Sequence, residues 1–342
     1  MISERVRHAR TYYGWSQSQL AQMAGVTQPA ISQIEKTGQV SDETLDAIAR
    51  ATQFAPWFFR LGPLPDLAEG SLRFRKRASS TKRDDEIVRA HVRQAVEALT
   101  RSGHHVKLPP VRLQPLSPGT VVDDELVETL TADTREWLGV GPADPIPSMI
   151  RAAERAGVLV IGSAKEIARH DAASYWPDVP SGRPIVCYSR GFPGDRQRLS
   201  VAHEIGHLIL HQYGRPEPKR AETEAFRYGA SLLLPRDAAL DEIETPVTLR
   251  GLAYVKARWG ISVRALIGRC FDLRIISVER RVSLEKQLGA RGWSRHEPVN
   301  VAEESPVLVR RLLDATIGPE ASAQRISVAL GLPPMAIRDL VA

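Results

Sequence analysis

The stretch LSVAHEIGHLILH, residues 199–211, constrains this chain more than any other feature. It contains H-E-x-x-H, which on a helix sets two imidazoles one turn apart with a carboxylate beside them. At about 100° per residue, Val201, Ile205, Leu208 and Ile209 fall on one face. His203 and His207 fall on the opposite face, about 40° apart, with Glu204 next to them. A histidine that only filled a core would sit in the apolar stripe, and these two do not. Both rings can face one Zn2+, and Glu204 is placed to take a proton from water at the metal.

A catalytic zinc needs a third protein ligand and an open position. One arrangement takes a histidine six residues after the second one, but Tyr213 stands there. His211 lies a further turn along, ~12 Å from His203 on a straight helix axis. That is too far to share the ion, so His211 reads as a supporting or structural residue. The next helical stretch, about 219–234, offers Glu222 and Glu224. Its apolar face holds Ala225, Phe226, Gly229, Leu232 and Leu233. Glu222 falls on that face and Glu224 points away. A carboxylate facing a core is costly unless it is paired or holds a metal, so the pattern selects Glu222.

A second pattern opens the chain. Helices are expected at 2–13, 16–24, 27–36 and 41–52, with Ser16, Thr27 and Ser41 as N-caps and Gly14, Gly25 and Gly38 as stops. The middle pair, SQSQLAQMAGVTQPAISQIEK, has the form of a helix-turn-helix, whose second helix lies in the major groove. Ala21 is small where two helices meet, Gly25 takes the turn, and Val26, Ile31 and Ile34 form the buried side. Gln17, Thr27, Gln28, Ser32, Gln33 and Lys36 supply donors and acceptors for base edges and phosphates, glutamine being matched to adenine. Glu35, Asp42, Glu43 and Asp46 offset the nearby arginines. A basic run, Arg73, Arg75, Lys76, Arg77, Lys82 and Arg83, would add phosphate contacts.

The rest of the sequence sets bounds. With 342 residues the chain is long enough for two or three domains. Its 43% hydrophobic and 25% charged residues are a globular balance. A net charge of +6 permits contact with nucleic acid without establishing it. Cys187 and Cys270 form no C-x-x-C pattern, which argues against a disulfide framework or a cysteine zinc site. No apolar run suits export or a membrane span, so a soluble cytoplasmic protein is expected. The organisation reads as a DNA-binding domain at 1–62, a basic segment, helix and Pro-rich linker at 63–120, a metal-site domain at 121–245, and a C-terminal helical region at 246–342. Within the third segment GVLVIG and RPIVCYS read as strands. Near the C-terminus, ALGLPPMAIRDL echoes the spacing of MAGVTQPAISQI. With Asp339 acidic and Arg338 its one arginine, it reads as generic three-helix packing rather than a second DNA reader.

Two resemblances follow from these residues. Residues 1–60 resemble the Cro/repressor-type (XRE) helix-turn-helix family, through Gln17, Ala21, Gly25 and Ile31-Ser32. HEIGHLILH followed by ETEAFRYGASLLLP resembles the ImmA/IrrE family of zinc metallopeptidases, with supporting similarity in LRFRKRASS, in SYWPDVPSGRPIVCYSRGFPGDRQRLS and in VKARWGISVRALIGRC. The second resemblance implies zinc ligands His203, His207 and Glu222 and Glu204 as general base, with Tyr213 and Tyr175 as candidates for stabilising the oxyanion. The implied fold is mainly α with a small α+β zincin-like (gluzincin) domain, behind a five-helix Cro/repressor-type N-terminal domain. The implied function is a DNA-binding regulator with a zinc endopeptidase that cleaves a helix-turn-helix repressor, or itself, to control stress or mobile-element genes. Double-stranded operator DNA, a protein substrate and a homodimer are the implied partners. The competing reading is a regulator whose peptidase-like domain is inactive and senses a ligand or metal. Phe226 departs from the family's Asn or Asp, and Tyr228-Gly229 from its Phe-Ala, which removes a polar partner beside the glutamate ligand.

Overall fold

The first helices start and stop where their side chains can satisfy unpaired backbone groups. In the computed structural model, which describes residues 1–67, 73–76, 81–102, 107–163, 170–177, 182–214 and 216–341, α1 (Ile2–Tyr12) leads into α2 (Gln17–Ala24). Ser16 and Gln19 form a reciprocal capping box at the start of α2, and Gly25 closes it in the left-handed region at φ 68°. Thr27 caps α3 (Gln28–Thr37), which Gly38 ends, and Ser41 caps α4 (Asp42–Thr52). A short 3-10 helix at Pro56–Arg60 is the fifth element of this domain. The strand β1 (Arg73–Lys76) carries Arg73, Arg75 and Lys76 of the basic run, whereas Arg77 lies outside the described residues. Lys82 and Arg83 open the long helix α5 (Lys82–Ser102).

The chain continues through α6 (Asp124–Trp137), α7 (Met149–Arg155), β2 (Leu159–Ser163), β3 (His170–Tyr175) and β4 (Ile185–Ser189). Then come α8 (Gly194–Leu210), α9 (Pro218–Leu233), α10 (Arg236–Glu242), α11 (Leu249–Trp259), α12 (Val263–Asp272) and α13 (Val278–Ala290). Three helices finish it: α14 (Leu308–Ile317), α15 (Ala323–Leu330) and α16 (Pro334–Val341). The fold is mainly helical with one small sheet in the order β1-β3-β4-β2. Strands β2 and β4 lie where the β-branched runs suggested. HDAASY and RFRK lack that signature, so β3 and β1 were not anticipated. Among the described residues no helix is long and apolar enough to cross a membrane.

Contacts divide the chain into two compact units, one of Met1–Leu108, Ile161–Ala173 and Pro306–Ala342, the other of Pro109–Val160 and Ser174–Ser305. The final three helices thus group with the N-terminal helices rather than with the helical segments that precede them in sequence.

In the first unit Val6, Leu20, Ile31, Ile48, Phe58 and Phe59 have no exposed surface. Buried polar groups tie α1 to α5. Arg5 Nη2 lies 2.6 Å from Glu97 Oε1, its guanidinium sits 4.7 Å from the Phe58 ring centroid, and its Nε donates to Gly62 O at 2.9 Å. Removing one partner of such a pair strands a buried charge, at a cost of about 3–5 kcal/mol.

In the second unit α8 packs against α7, α9 and β4, and every residue of it except Arg196 is buried. The sequence suggested a helix with one core face and one open ligand face. The helix instead lies inside the unit, so its histidines are surrounded by protein. The returning segment 297–304 is pinned by carboxylates at helix N-termini, where orphan N–H groups favour anions. Glu304 accepts from Met149 N at 3.1 Å and Ile150 N at 2.8 Å at the start of α7, and Glu297 accepts from Val263 N at 2.9 Å at the start of α12. The buried Lys256 ammonium lies 2.6 Å from both Asp195 Oδ2 and Glu297 Oε2. At the start of α8, a Cβ on Gly194 would lie 2.0 Å from Ala302 O, so only glycine lets this segment pass.

Burial holds the His8 imidazole down from 6.5 to about 3, against a hydrogen bond with Gln94 that works the other way. The folded unit therefore keeps His8 neutral where the unfolded chain takes up a proton. Stability must fall as pH drops from about 6.5 toward 3, by up to ~1.4 kcal/mol per pH unit from this one group. Urea unfolding followed by tryptophan fluorescence between pH 7 and 4.5 should show that decline, with a shallower slope in His8→Asn.

Candidate functional site

Helices α8 and α9 cross closely because small residues line the crossing. A Cβ on Gly229 would lie 2.9 Å from the backbone N of His203, and one on Gly206 would lie 3.0 Å from the Tyr228 ring. Tyr228 and Gly229, the departures from the family's Phe-Ala, therefore fit Gly206 and the His203 backbone of α8 across the interface. Glu222 stands two turns before Gly229 on α9 and reaches the two imidazoles of α8. Its Oε2 is 3.4 Å from His203 Nε2, and its Oε1 is 3.3 Å from His207 Nε2. One donor atom from each of His203, His207 and Glu222 lies within 4.8 Å of the other two.

These residues fit a zinc ion. Ligands at ~2.0–2.1 Å in a tetrahedron stand about 3.3–3.4 Å apart, which is the separation of the carboxylate from each imidazole. His207 Nε2 is buried and faces the Glu222 carboxylate at 3.3 Å without well-formed hydrogen-bond geometry, and a cation between the two would satisfy both. Burial by itself would raise the Glu222 carboxyl, but the hydrogen-bonding and charge of His203 and His207 outweigh it and hold it far below the usual carboxylate range.

Glu224 does not point away, as the helical phase suggested. It is buried at 7% exposure, whereas the Glu222 side chain is 42% exposed. Glu222 thus reaches the histidines from the open edge of the α8–α9 contact and not from its core. Glu224 instead meets His211, the C-cap of α8, whose N–H still donates to His207 O at 3.0 Å and which stands one turn beyond His207. Its Nδ1 is 2.9 Å from His207 Nδ1, and its Nε2 is 3.0 Å from Glu224 Oε2. Arg220 Nε donates to the other oxygen of Glu224 at 2.6 Å. For His207 to offer Nε2 to a metal, its Nδ1 must carry the proton. His211 Nδ1 then accepts it, and His211 Nε2–H donates to Glu224. The chain Arg220–Glu224–His211 thereby selects the ligating tautomer of His207.

Glu204 is fully buried, and Ser174 Oγ on β3 donates to its Oε2 at 2.6 Å. Nothing in the sequence marked Ser174, because β3 carries no strand signature. Phe226 stands beside Gly268 of α12, at 3.6 Å from a Cβ built there. Phe226 gives Glu222 no polar partner; the polar support in this cluster goes to His207, through His211 and Glu224. Tyr175 is buried on β3 at 6% exposure, and Tyr213 is 50% exposed after α8.

On the helix-turn-helix, Gln28, Gln33 and Lys36 are exposed, and Gln17 and Ser32 are half-buried. Thr27 is engaged as the α3 cap, accepting from Ala30 N at 3.3 Å. Gln17 donates to Glu35 at 2.9 Å and accepts from Gln28 at 3.0 Å, which orders Gln28 on the exposed side of α3. Glu35 offsets the nearby arginines Arg7 and Arg10, but from a buried position. It is 4% exposed, and its Oε1 lies 2.5 Å from Arg10 Nε, so it braces α3 against α1.

If the histidine chain sets the tautomer of His207, breaking it should weaken metal binding without removing a ligand. Glu224→Ala should lower zinc affinity about 10- to 100-fold, read by competition with a chromophoric chelator. An unchanged affinity would show that the chain is only structural.

The family model for the IrrE N-terminal-like domain, of the M78 peptidases, matches residues 153–271, the region from α7 to α12 that holds the metal group. The helix-turn-helix family model matches residues 6–56, from α1 to the 3-10 helix. No curated protein matches the chain. The chain therefore joins a Cro/repressor-type helix-turn-helix domain to an ImmA/IrrE-type peptidase-family domain.

Proposed function

We propose that this DNA-binding regulator is a zinc endopeptidase, with His203, His207 and Glu222 holding the metal and Glu204 as the general base. The observation that carries the reading is the convergence of three metal-type donors from α8 and α9 beside a buried carboxylate held from behind. Zinc, when bound, supplies the Lewis acidity that activates water and polarises a peptide carbonyl. Glu204 takes a proton and passes it to the departing amine. Ser174 holds Glu204 in place through Oε2. His211, Glu224 and Arg220 keep the His207 ring oriented. The substrate is a helix-turn-helix repressor, or this chain itself, in keeping with the resemblance of both domains. DNA is read by Gln28, Ser32, Gln33 and Lys36 of α3, with Gln17 and Thr27 alongside, by a homodimer in the cytoplasm.

The zinc-loaded chain, incubated with purified helix-turn-helix repressors and with itself, should release fragments identifiable by mass spectrometry. Glu204→Gln should slow release about 10²- to 10⁴-fold while keeping its zinc. Equal cleavage by both proteins, or none by either, overturns the peptidase reading in favour of a sensing domain. For the DNA reader, Gln28→Ala and Gln33→Ala should each cost about 1–3 kcal/mol in footprints of the chain's own promoter.

A further inference from the structure

Residues 322–342 align with residues 16–36 without a gap. Ser322 matches Ser16, Ile326 matches Leu20, Gly331 matches Gly25, Ala336 matches Ala30, Ile337 matches Ile31 and Leu340 matches Ile34. The structure repeats the local geometry as well. Ser322 Oγ accepts from Arg325 N at 3.2 Å, as Ser16 Oγ accepts from Gln19 N at 3.2 Å. Gly331 closes α15 at φ 69°, as Gly25 closes α2 at φ 68°. Ile326 and Ile337 have no exposed surface, like Leu20 and Ile31. Helices α15 and α16 are thus a second helix-turn-helix, with α14 as their packing partner.

The two modules differ on the face that would read DNA. Gln28, Ser32 and Gln33 are replaced by Pro334, Arg338 and Asp339. Gln33 is exposed, but Asp339 is 5% exposed and turned into the unit. Its Oδ2 lies 3.5 Å from His91 Nδ1 on α5 and accepts from Tyr12 OH on α1 at 3.4 Å. The His91 ring stacks on Tyr12 with centroids 4.0 Å apart. The carbonyls that end α15 are also claimed, since Arg101 donates to Leu330 O at 3.0 Å and Ala55 N to Gly331 O at 3.1 Å. Trp57 lies so close over this turn that a Cβ on Gly331 would stand 2.5 Å from its ring.

We propose that residues 306–342 form a second helix-turn-helix that serves as an internal partner of the DNA-reading domain. Its second helix docks on α1 and α5 through the position equivalent to a base-reading residue. DNA is then read by α3 alone, and the docked module holds α1 and α5 in register. The docking stands independently of any peptidase activity. Only its DNA consequence rests on the proposed reader.

Two measurements on the full-length chain test this. In hydrogen exchange, Asp339→Asn and, separately, Trp57→Ala should speed exchange about tenfold in α16 and in the facing parts of α1 and α5, leaving α8 and α9 unchanged. Acceleration in α16 without any in α1 or α5, or in neither, overturns the docking. In binding to a duplex selected by the full-length protein from a random pool, Gln33→Ala should lose about tenfold affinity. Arg338→Ala should change affinity by less than about twofold. A loss with Arg338→Ala as large as with Gln33→Ala would make α16 a reader and overturn the proposal. A pool that yields no duplex counts against the DNA reader, and the docking is then decided by exchange.

Discussion

The close crossing of α8 and α9 is the constraint on which the site depends. A helix backbone can approach another to this degree only where side chains are missing, and Gly229 against His203 N is such a place. With the crossing fixed, a carboxylate two turns away on α9 is delivered to imidazoles on α8. The same crossing brings Glu224 to His211 at the end of α8. One packing contact thus serves both the metal group and the hydrogen-bond chain that orients it. Burial of α8 on all sides raises the stakes, because every polar atom on it must find a partner or a metal.

Around this crossing charged groups cross-link the apolar core of the second unit. Glu297 and Glu304 sit on helix N-termini, Lys256 bridges Asp195 and Glu297, and Arg269 pairs with Glu128 at 2.5 Å. Buried pairs of this kind add little net stability, but breaking one is costly, so they favour one arrangement over its near alternatives. The first unit uses the same device at Arg5–Glu97 and at Arg10–Glu35.

Much of this was legible in the sequence where a local rule suffices. Caps and glycines marked α2, α3 and α4, because N-cap chemistry and left-handed closure are decided within a few residues. His203 and His207 followed from helical spacing. Glu222 was chosen as a core-facing carboxylate, yet it stands half open and Glu224 is the buried one. Helical phase ranks positions on one helix and cannot foresee what each side chain meets on the next: Glu222 meets His203 and His207, and Glu224 meets His211. Ser174 was invisible because β3 is made of small and polar residues, whose pairing depends on partners distant in sequence. The C-terminal echo reads as generic three-helix packing rather than a second reader on the strength of Asp339, and the contacts of Asp339 with His91 and Tyr12, some 250 residues away in sequence or more, lie beyond any local rule.

The central claim is that α8 and α9 together build one zinc site of two imidazoles and one carboxylate. X-ray absorption at the zinc edge, on the chain loaded with one equivalent, tests it directly. The expected spectrum has only nitrogen and oxygen neighbours at about 2.0–2.1 Å, with the outer-shell scattering of two imidazoles, and it changes in Glu222→Ala. A sulfur shell near ~2.3 Å, or a spectrum that Glu222→Ala leaves unaltered, would contradict it.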